Sequence, residues 1–209
     1  MKICGLRSAE QVAMICEAGG DAVGINFWPN SKRYLSPGEA ELWLGEFAGA
    51  ICRVGLFVDA SHEEVERVVD LGVLDALQFH GDESAQFVEE AAGFGLPILR
   101  AIGVGETGLI RPVEEAGTDY LLLDAFAPEE KGGTGRTFRW DLFRKAVEDH
   151  PEQTFFLAGG LTPENVGRAI REAQPHAVDT ASGVESAPGV KDEALVRDFM
   201  AAVREAVES

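Results

Sequence analysis

Short apolar runs alternate with amphipathic segments along the whole chain. The runs read as strands at Lys2–Cys4, Asp21–Phe27, Ile51–Val58, Ala76–Phe79, Ile98–Ile102, Tyr120–Asp124, Thr154–Ala158 and Ala177–Thr180. Helical patterns fill the intervals, starting near Ser8, Ser36, Ser61, Ser84, Glu106, Trp140, Thr162 and Asp192. Several carry start signals. Ser8-x-x-Gln11 and Ser61-x-x-Glu64 have capping-box spacing, and Ser36-Pro37 and Thr162-Pro163 set a cap before a proline at the first helical position. Strand and helix in strict alternation suit a closed (β/α)8 TIM barrel or a doubly wound sheet. Regular repetition without a large break favours the barrel, as one α/β domain over residues 1–209.

The chain's 209 residues, 45% of them hydrophobic, supply one sizeable core, at the short end for such a barrel. No apolar stretch approaches the roughly 20 residues that span a bilayer, and no signal pattern precedes the first strand, so a soluble, cytoplasmic protein is expected. Cysteines at 4, 16 and 52 form no Cys-x-x-Cys and suggest reduced thiols. A net charge of −18 argues against nucleic acid and anionic membranes as partners. It also means that an anionic substrate needs local cations or helix N-termini.

If the repeats are βα units, the chemical positions fall at strand C-terminal ends, which converge on one rim of a barrel. Cys4 and Asp124 lie there, at the ends of the first and sixth strands, as a candidate base and acid. Each must be in its minor form to work. At ordinary pKa values, about 3% of a thiol is ionised at pH 7 and about 0.1% of an aspartate is protonated. A helix start near Ser8 would favour the thiolate, and apolar neighbours with a closing loop would favour the protonated carboxyl. Cys16 and Cys52 read as structural.

Gly159-Gly160 and Ser182-Gly183 follow the seventh and eighth strands, where backbone N–H groups of such loops receive phosphate. Arg33 follows the second strand and offers a fork suited to a carboxylate. His80 positions substrate or satisfies a local hydrogen bond. No spacing makes a convincing metal site. Two glycine-rich segments are decoys. Gly132-Gly-Thr-Gly135 has Glu130 and Arg136 where a P-loop needs Gly and Lys, so it reads as a lid. Gly103-Val-Gly105-Glu-Thr-Gly108 mimics a dinucleotide fingerprint with Asp124 at the right distance, but the segment after it is short and contains Pro112.

Together these segments resemble the phosphoribosylanthranilate isomerase family of tryptophan biosynthesis. The resemblance rests on Lys2-Ile-Cys-Gly5, Gly24-Ile-Asn-Phe27 with Ser31-Lys-Arg-Tyr34, Gly55-Leu-Phe-Val58, Gln78-Phe-His-Gly-Asp-Glu83, Leu123-Asp124 with Gly132–Gly135, Ala158-Gly-Gly-Leu161 with Pro163-Glu-Asn-Val166, and Asp179 with Ser182-Gly-Val-Glu185 and Pro188-Gly-Val-Lys191. It implies an Amadori rearrangement without metal or cofactor. Asp124 would be the general acid and Cys4 the general base. Arg33 would hold the anthranilate carboxylate, the Gly159-Gly160 and Ser182-Gly183 loops the phosphate, and His80 and Asp179 would support the pocket. The partner would be a phosphosugar, and the protein a monomer or homodimer. Lys32, Phe79 and Ala181 depart from the family's common Pro, Leu and Ser. Three other readings stand beside it: a related histidine-pathway sugar-phosphate isomerase, expected to use two carboxylates; a nicotinamide oxidoreductase using Gly103–Gly108; and a non-catalytic phosphosugar-binding barrel.

Overall fold

The computed structural model describes residues 1–125 and 139–208. The lid segment Gly132–Gly135, with Glu130 and Arg136, lies outside the described residues. Eight parallel strands close in sequence order into a barrel: β1 (Lys2–Cys4), β2 (Ala22–Asn26), β3 (Cys52–Phe57), β4 (Ala76–Phe79), β5 (Ile98–Val104), β6 (Tyr120–Ala125), β7 (Thr154–Leu157) and β8 (Ala177–Thr180). β1 pairs back to β8 through Lys2↔Asp179 and Ile3↔Thr180. Around it lie α1 (Ala9–Ala18), α2 (Pro37–Glu41), α3 (His62–Val69), α4 (Ala85–Ala91), α5 (Trp140–Asp149), α6 (Pro163–Ala173) and α7 (Glu193–Glu208). A small antiparallel hairpin, β9 (Glu185–Ala187) and β10 (Val190–Lys191), follows β8 and has no counterpart in the sequence reading.

Strand alternation sorts the side chains into two layers. Ile3, Val23, Ile25, Leu77, Phe79, Leu121, Leu123, Phe155, Leu157 and Val178 join the main apolar cluster that the helices cover. The opposite parity gives two small clusters, one around Cys4, Leu56 and Val58 and one around Leu99, Leu122 and Ala158. Buried Lys2, Gln78 and Asp179 share that second parity. The inner layer is therefore where the chain places polar chemistry.

The helix starts match in part. Ser36 and Ser61 form full capping boxes with Glu39 and Glu64. Ser8 Oγ accepts from the Gln11 amide at 3.5 Å, but the Gln11 side chain donates instead to the Gly189 carbonyl at 3.1 Å, so no box closes there. The helix expected near Glu106 does not form. β5 runs on to Val104, the Gly105 amide bonds the Gly108 carbonyl at 2.8 Å, and a single 3-10 turn at Val113–Glu115 fills the interval. Glycine at 105 and 108 and proline at 112 leave too few good helix formers for a nucleus. With Gly103 inside a strand and no helix after the turn, the dinucleotide geometry is absent from this loop.

Candidate active site

A cavity of about 760 Å³ opens at the C-terminal ends of the strands. Cys4, Arg33, His80, Asp124, Gly159, Gly160, Asp179 and Ser182 all line it. Cys4, His80, Asp124 and Asp179 reach it because each sits on, or just past, an inward-facing strand position. Gly183 stands apart from the lining. A Cβ there would lie 1.8 Å from the Leu161 carbonyl oxygen, so its glycine lets the loop after β8 close on the loop after β7. Gly159 and Gly160 hold positive φ, 86° and 62°. A Cβ on Gly159 would also meet Asp124 Oδ1 at 2.9 Å, so that turn passes directly over the candidate acid.

The carboxylate of Asp124 is gripped at both oxygens. Oδ1 accepts from the Ala125 amide at 2.8 Å, and Oδ2 lies 3.3 Å from His80 Nε2. Gln78 Nε2 stands 3.0 Å from His80 Nδ1. With the amide nitrogen donating, Nδ1 accepts and the neutral ring carries its hydrogen on Nε2, aimed at Asp124. The His80 loop is itself fixed. Glu83 accepts from the Asp59 and Gly81 amides at 2.9 and 3.0 Å, and Arg100 donates to the Glu83 carbonyl.

Cys4 is buried, with Gly24 against its sulfur. Burial pushes the thiol above its ordinary range; Lys2 and Lys191 pull against that, and Asp179 adds to it. Sequence alone points to the helix start at Ser8 as support for a thiolate. The cations facing the sulfur are instead these two lysines. Lys2 Nζ donates to Asp179 Oδ1 at 2.8 Å with both side chains buried. Burial opposes the ammonium of Lys2, but Asp179 and Cys4 outweigh it and hold its pKa above the ordinary value.

Arg33 does not stand free. Its Nε and Nη2 donate to the two oxygens of Glu185 at 2.8 and 2.7 Å. Lys191 Nζ also reaches Glu185 Oε1 at 2.8 Å and the Ala181 carbonyl at 2.9 Å. Burial raises the Glu185 carboxyl, but its bonds from Arg33 and Lys191 win, and it lies below the usual glutamate range. Among the described residues Arg33 Nη1 has no partner, and the side chain lines the cavity. The group of Arg33, Glu185 and Lys191 is thus a preassembled cationic corner around one anion. Among the described residues no cluster of three or more His, Cys, Asp or Glu side chains is arranged for a metal. Nor, among them, is any helix long and apolar enough to cross a membrane.

The family model for N-(5'-phosphoribosyl)anthranilate (PRA) isomerase matches residues 1–202. The chain belongs to this family. It is 40% identical to the N-(5'-phosphoribosyl)anthranilate isomerase of Hahella chejuensis, over 97% of this chain and 92% of that protein. It is 42% identical to the Geotalea uraniireducens enzyme of the same name, over 96% of each. Among solved structures, the phosphoribosyl anthranilate isomerase of Thermotoga maritima superimposes with a TM-score of 0.86 at 36% identity, covering 98% of both chains. A second structure of such an isomerase, in complex with reduced 1-(o-carboxyphenylamino)-1-deoxyribulose 5-phosphate, aligns with a TM-score of 0.81 at 33% identity over 98% of this chain and 97% of that one. The Thermotoga maritima protein is described as dimeric.

Membership in the PRA isomerase family confirms the resemblance read from the motifs and sets aside the histidine-pathway and nicotinamide readings. It also directs attention to residues the sequence reading left without a role: Lys2, Gln78, Glu185 and Lys191. Lys2 lies two positions before Cys4 and so shares its face, a signal available in the sequence. Glu185 and Lys191 fall inside segments already quoted for the family. Their pairing across β9 and β10 needed the fold to become visible.

Proposed function

We propose that this chain is an N-(5'-phosphoribosyl)anthranilate isomerase, converting its substrate to 1-(2-carboxyphenylamino)-1-deoxyribulose 5-phosphate in tryptophan biosynthesis. One observation carries the assignment of roles: Cys4 and Asp124 face one cavity from β1 and β6, under the paired-glycine turn at Gly159-Gly160. One domain, residues 1–209, does the whole reaction.

Asp124, as general acid, gives its proton to the furanose ring oxygen. The C1–O bond breaks and the anthranilate nitrogen's lone pair forms a Schiff base with C1. Cys4, as thiolate, takes the proton from C2. The C2–H electron pair becomes the C1–C2 double bond of an enolamine, and the iminium pair returns to nitrogen. Tautomerisation to the ketone completes an internal redox exchange in which C1 is reduced and C2 oxidised, so the chemistry needs no external electron acceptor. Once that proton has gone, the Nε2–H of His80 stabilises the Asp124 carboxylate at Oδ2. The N–H groups of the Gly159-Gly160 and Ser182-Gly183 loops bind the phosphate, and the open edge of Arg33 takes the anthranilate carboxylate while Glu185 fixes its plane. Anchoring both ends sets C2 and the ring oxygen between base and acid, where orientation contributes most.

A phosphosugar is thus the expected partner, with monomer or homodimer as the state to be resolved by sedimentation. Free thiols at Cys4, Cys16 and Cys52 suit a cytoplasmic location. The direct test is the fluorescence of freshly generated phosphoribosylanthranilate with purified protein in EDTA. Rapid loss of signal is expected. Folded protein that binds the reduced product analogue without turning over substrate would leave a binding module instead.

A further inference from the structure

We infer that Lys2 is a positioning residue for the base: its buried ammonium, held in place by Asp179, favours the Cys4 thiolate against the burial that opposes it. This rests on the reading of Cys4 as the general base. Lys2 is 1% exposed and Asp179 is 7% exposed. A lysine is almost never buried so completely unless it is paired, and Asp179 is that pair. Stability does not supply a purpose for the pair, since a well-packed apolar pair in such a place is often as stable or more so. Geometry supplies it. Lys2 and Cys4 occupy alternate positions of β1 and share its inner face, and the register sets Lys2 directly beside Asp179 on β8. One N–H of the ammonium goes to Asp179 Oδ1 at 2.8 Å, and its charge also acts on the sulfur.

The charged groups that face Cys4 come from every side. Lys2 stands on β1, Asp179 on β8, Lys191 on β10, and Arg33 on the loop after β2. Three cations against one anion oppose what burial does to the thiol. The two lysines differ in commitment. Lys191 bridges Glu185 and the Ala181 carbonyl, which also secures the Arg33 corner. Lys2 donates to Asp179 and also approaches the Cys4 sulfur closely enough that charge and a side-chain hydrogen bond both favour the thiolate. Gly24 holds the sulfur to this position, because a Cβ there would lie 2.6 Å from Sγ.

The test is the pH dependence of Cys4 alkylation by iodoacetamide, read by mass spectrometry on the Cys4 peptide so that Cys16 and Cys52 do not contribute. Lys2→Met should move the midpoint at least one unit upward, cutting the alkylation rate at pH 7 about tenfold. Asp179→Asn should move it downward, because it removes an anion and leaves the ammonium. Lys2→Arg, which keeps the charge, should stay within about threefold of wild type at pH 7. A packing defect would not shift the two partners' variants in opposite directions. Should Lys2→Met fail to fold, Lys2→Met/Asp179→Asn compared with Asp179→Asn alone removes the same ammonium without stranding a carboxylate. Equal midpoints in that comparison, or in Lys2→Met and wild type, would overturn the inference. So would turnover that falls in Lys2→Met with an unmoved midpoint. Alkylation needs no substrate, so it is read separately from the role of Cys4: normal turnover in Cys4→Ala would remove the base assignment itself.

Discussion

The two faces of the barrel strands differ in kind. The outward face is a continuous apolar layer beneath the helices, and it contains Ile3, Leu77, Phe79, Leu121, Leu123, Phe155 and Leu157. The inward face is divided into two small clusters, with Lys2, Gln78 and Asp179 buried on the same face. Both faces come from the same short strands, one residue out of phase. Stability is concentrated in one parity and chemistry in the other, so substitutions at adjacent positions should have different consequences.

The largest test of that division is Phe155→Ala. Phe155 is fully buried in the outer layer. Its loss should cost about 3–5 kcal/mol in urea unfolding, while kcat of the folded fraction stays near wild type. A fall in kcat at constant fold would show that the layers are coupled. Gly183→Ala should come next. The added methyl meets the Leu161 carbonyl, so the β7 and β8 loops must part; a loss of about 1–3 kcal/mol is expected, with a raised KM as the phosphate site loosens. Unchanged KM would remove that loop from phosphate binding.

Ser61→Ala removes a cap outside the cavity lining, where the Ser61 hydroxyl accepts from the Glu64 amide at 3.3 Å and Glu64 returns to the Ser61 amide at 2.8 Å. It should cost about 1 kcal/mol and leave both kinetic constants alone. The subtlest probe is Glu185→Gln at the mouth. The folded carboxyl lies below the ordinary range, so its contribution to stability is present above the unfolded value, about 4.3, and is lost as pH falls through the lower folded value. The variant should lack this component: its acid unfolding curve below about pH 4 should be flatter than wild type, and KM should rise as Arg33 loses its brace. An equally steep acid limb would place the pH sensitivity elsewhere.

Much of this was legible beforehand, for identifiable reasons. All eight barrel strands were found because buried parallel strands leave apolar runs of the right length, and the errors lie mostly at the ends, as at Asp21 and Val58. The helix near Glu106 was misread because a short polar stretch with two glycines and a proline fills a helix's place in the repeat without being able to form one. The β9–β10 hairpin, with three residues in β9 and two in β10, is too short to give a pattern. In the site, strand ends picked out Cys4, His80 and Asp124, and the family resemblance added Asp179. Pairings across elements stayed hidden. Arg33 reads as a free anchor in sequence, yet it is braced by Glu185, 152 residues away. The same holds for Lys2, whose partner is 177 residues distant.

The central claim is that Cys4 and Asp124 act as base and acid across one cavity. Its most direct test is turnover of phosphoribosylanthranilate by Cys4→Ala and Asp124→Asn, alongside their thermal unfolding. Each should lose about 10²–10⁴-fold in kcat with an unfolding midpoint close to wild type. Near-wild-type kcat in either folded variant would contradict the account.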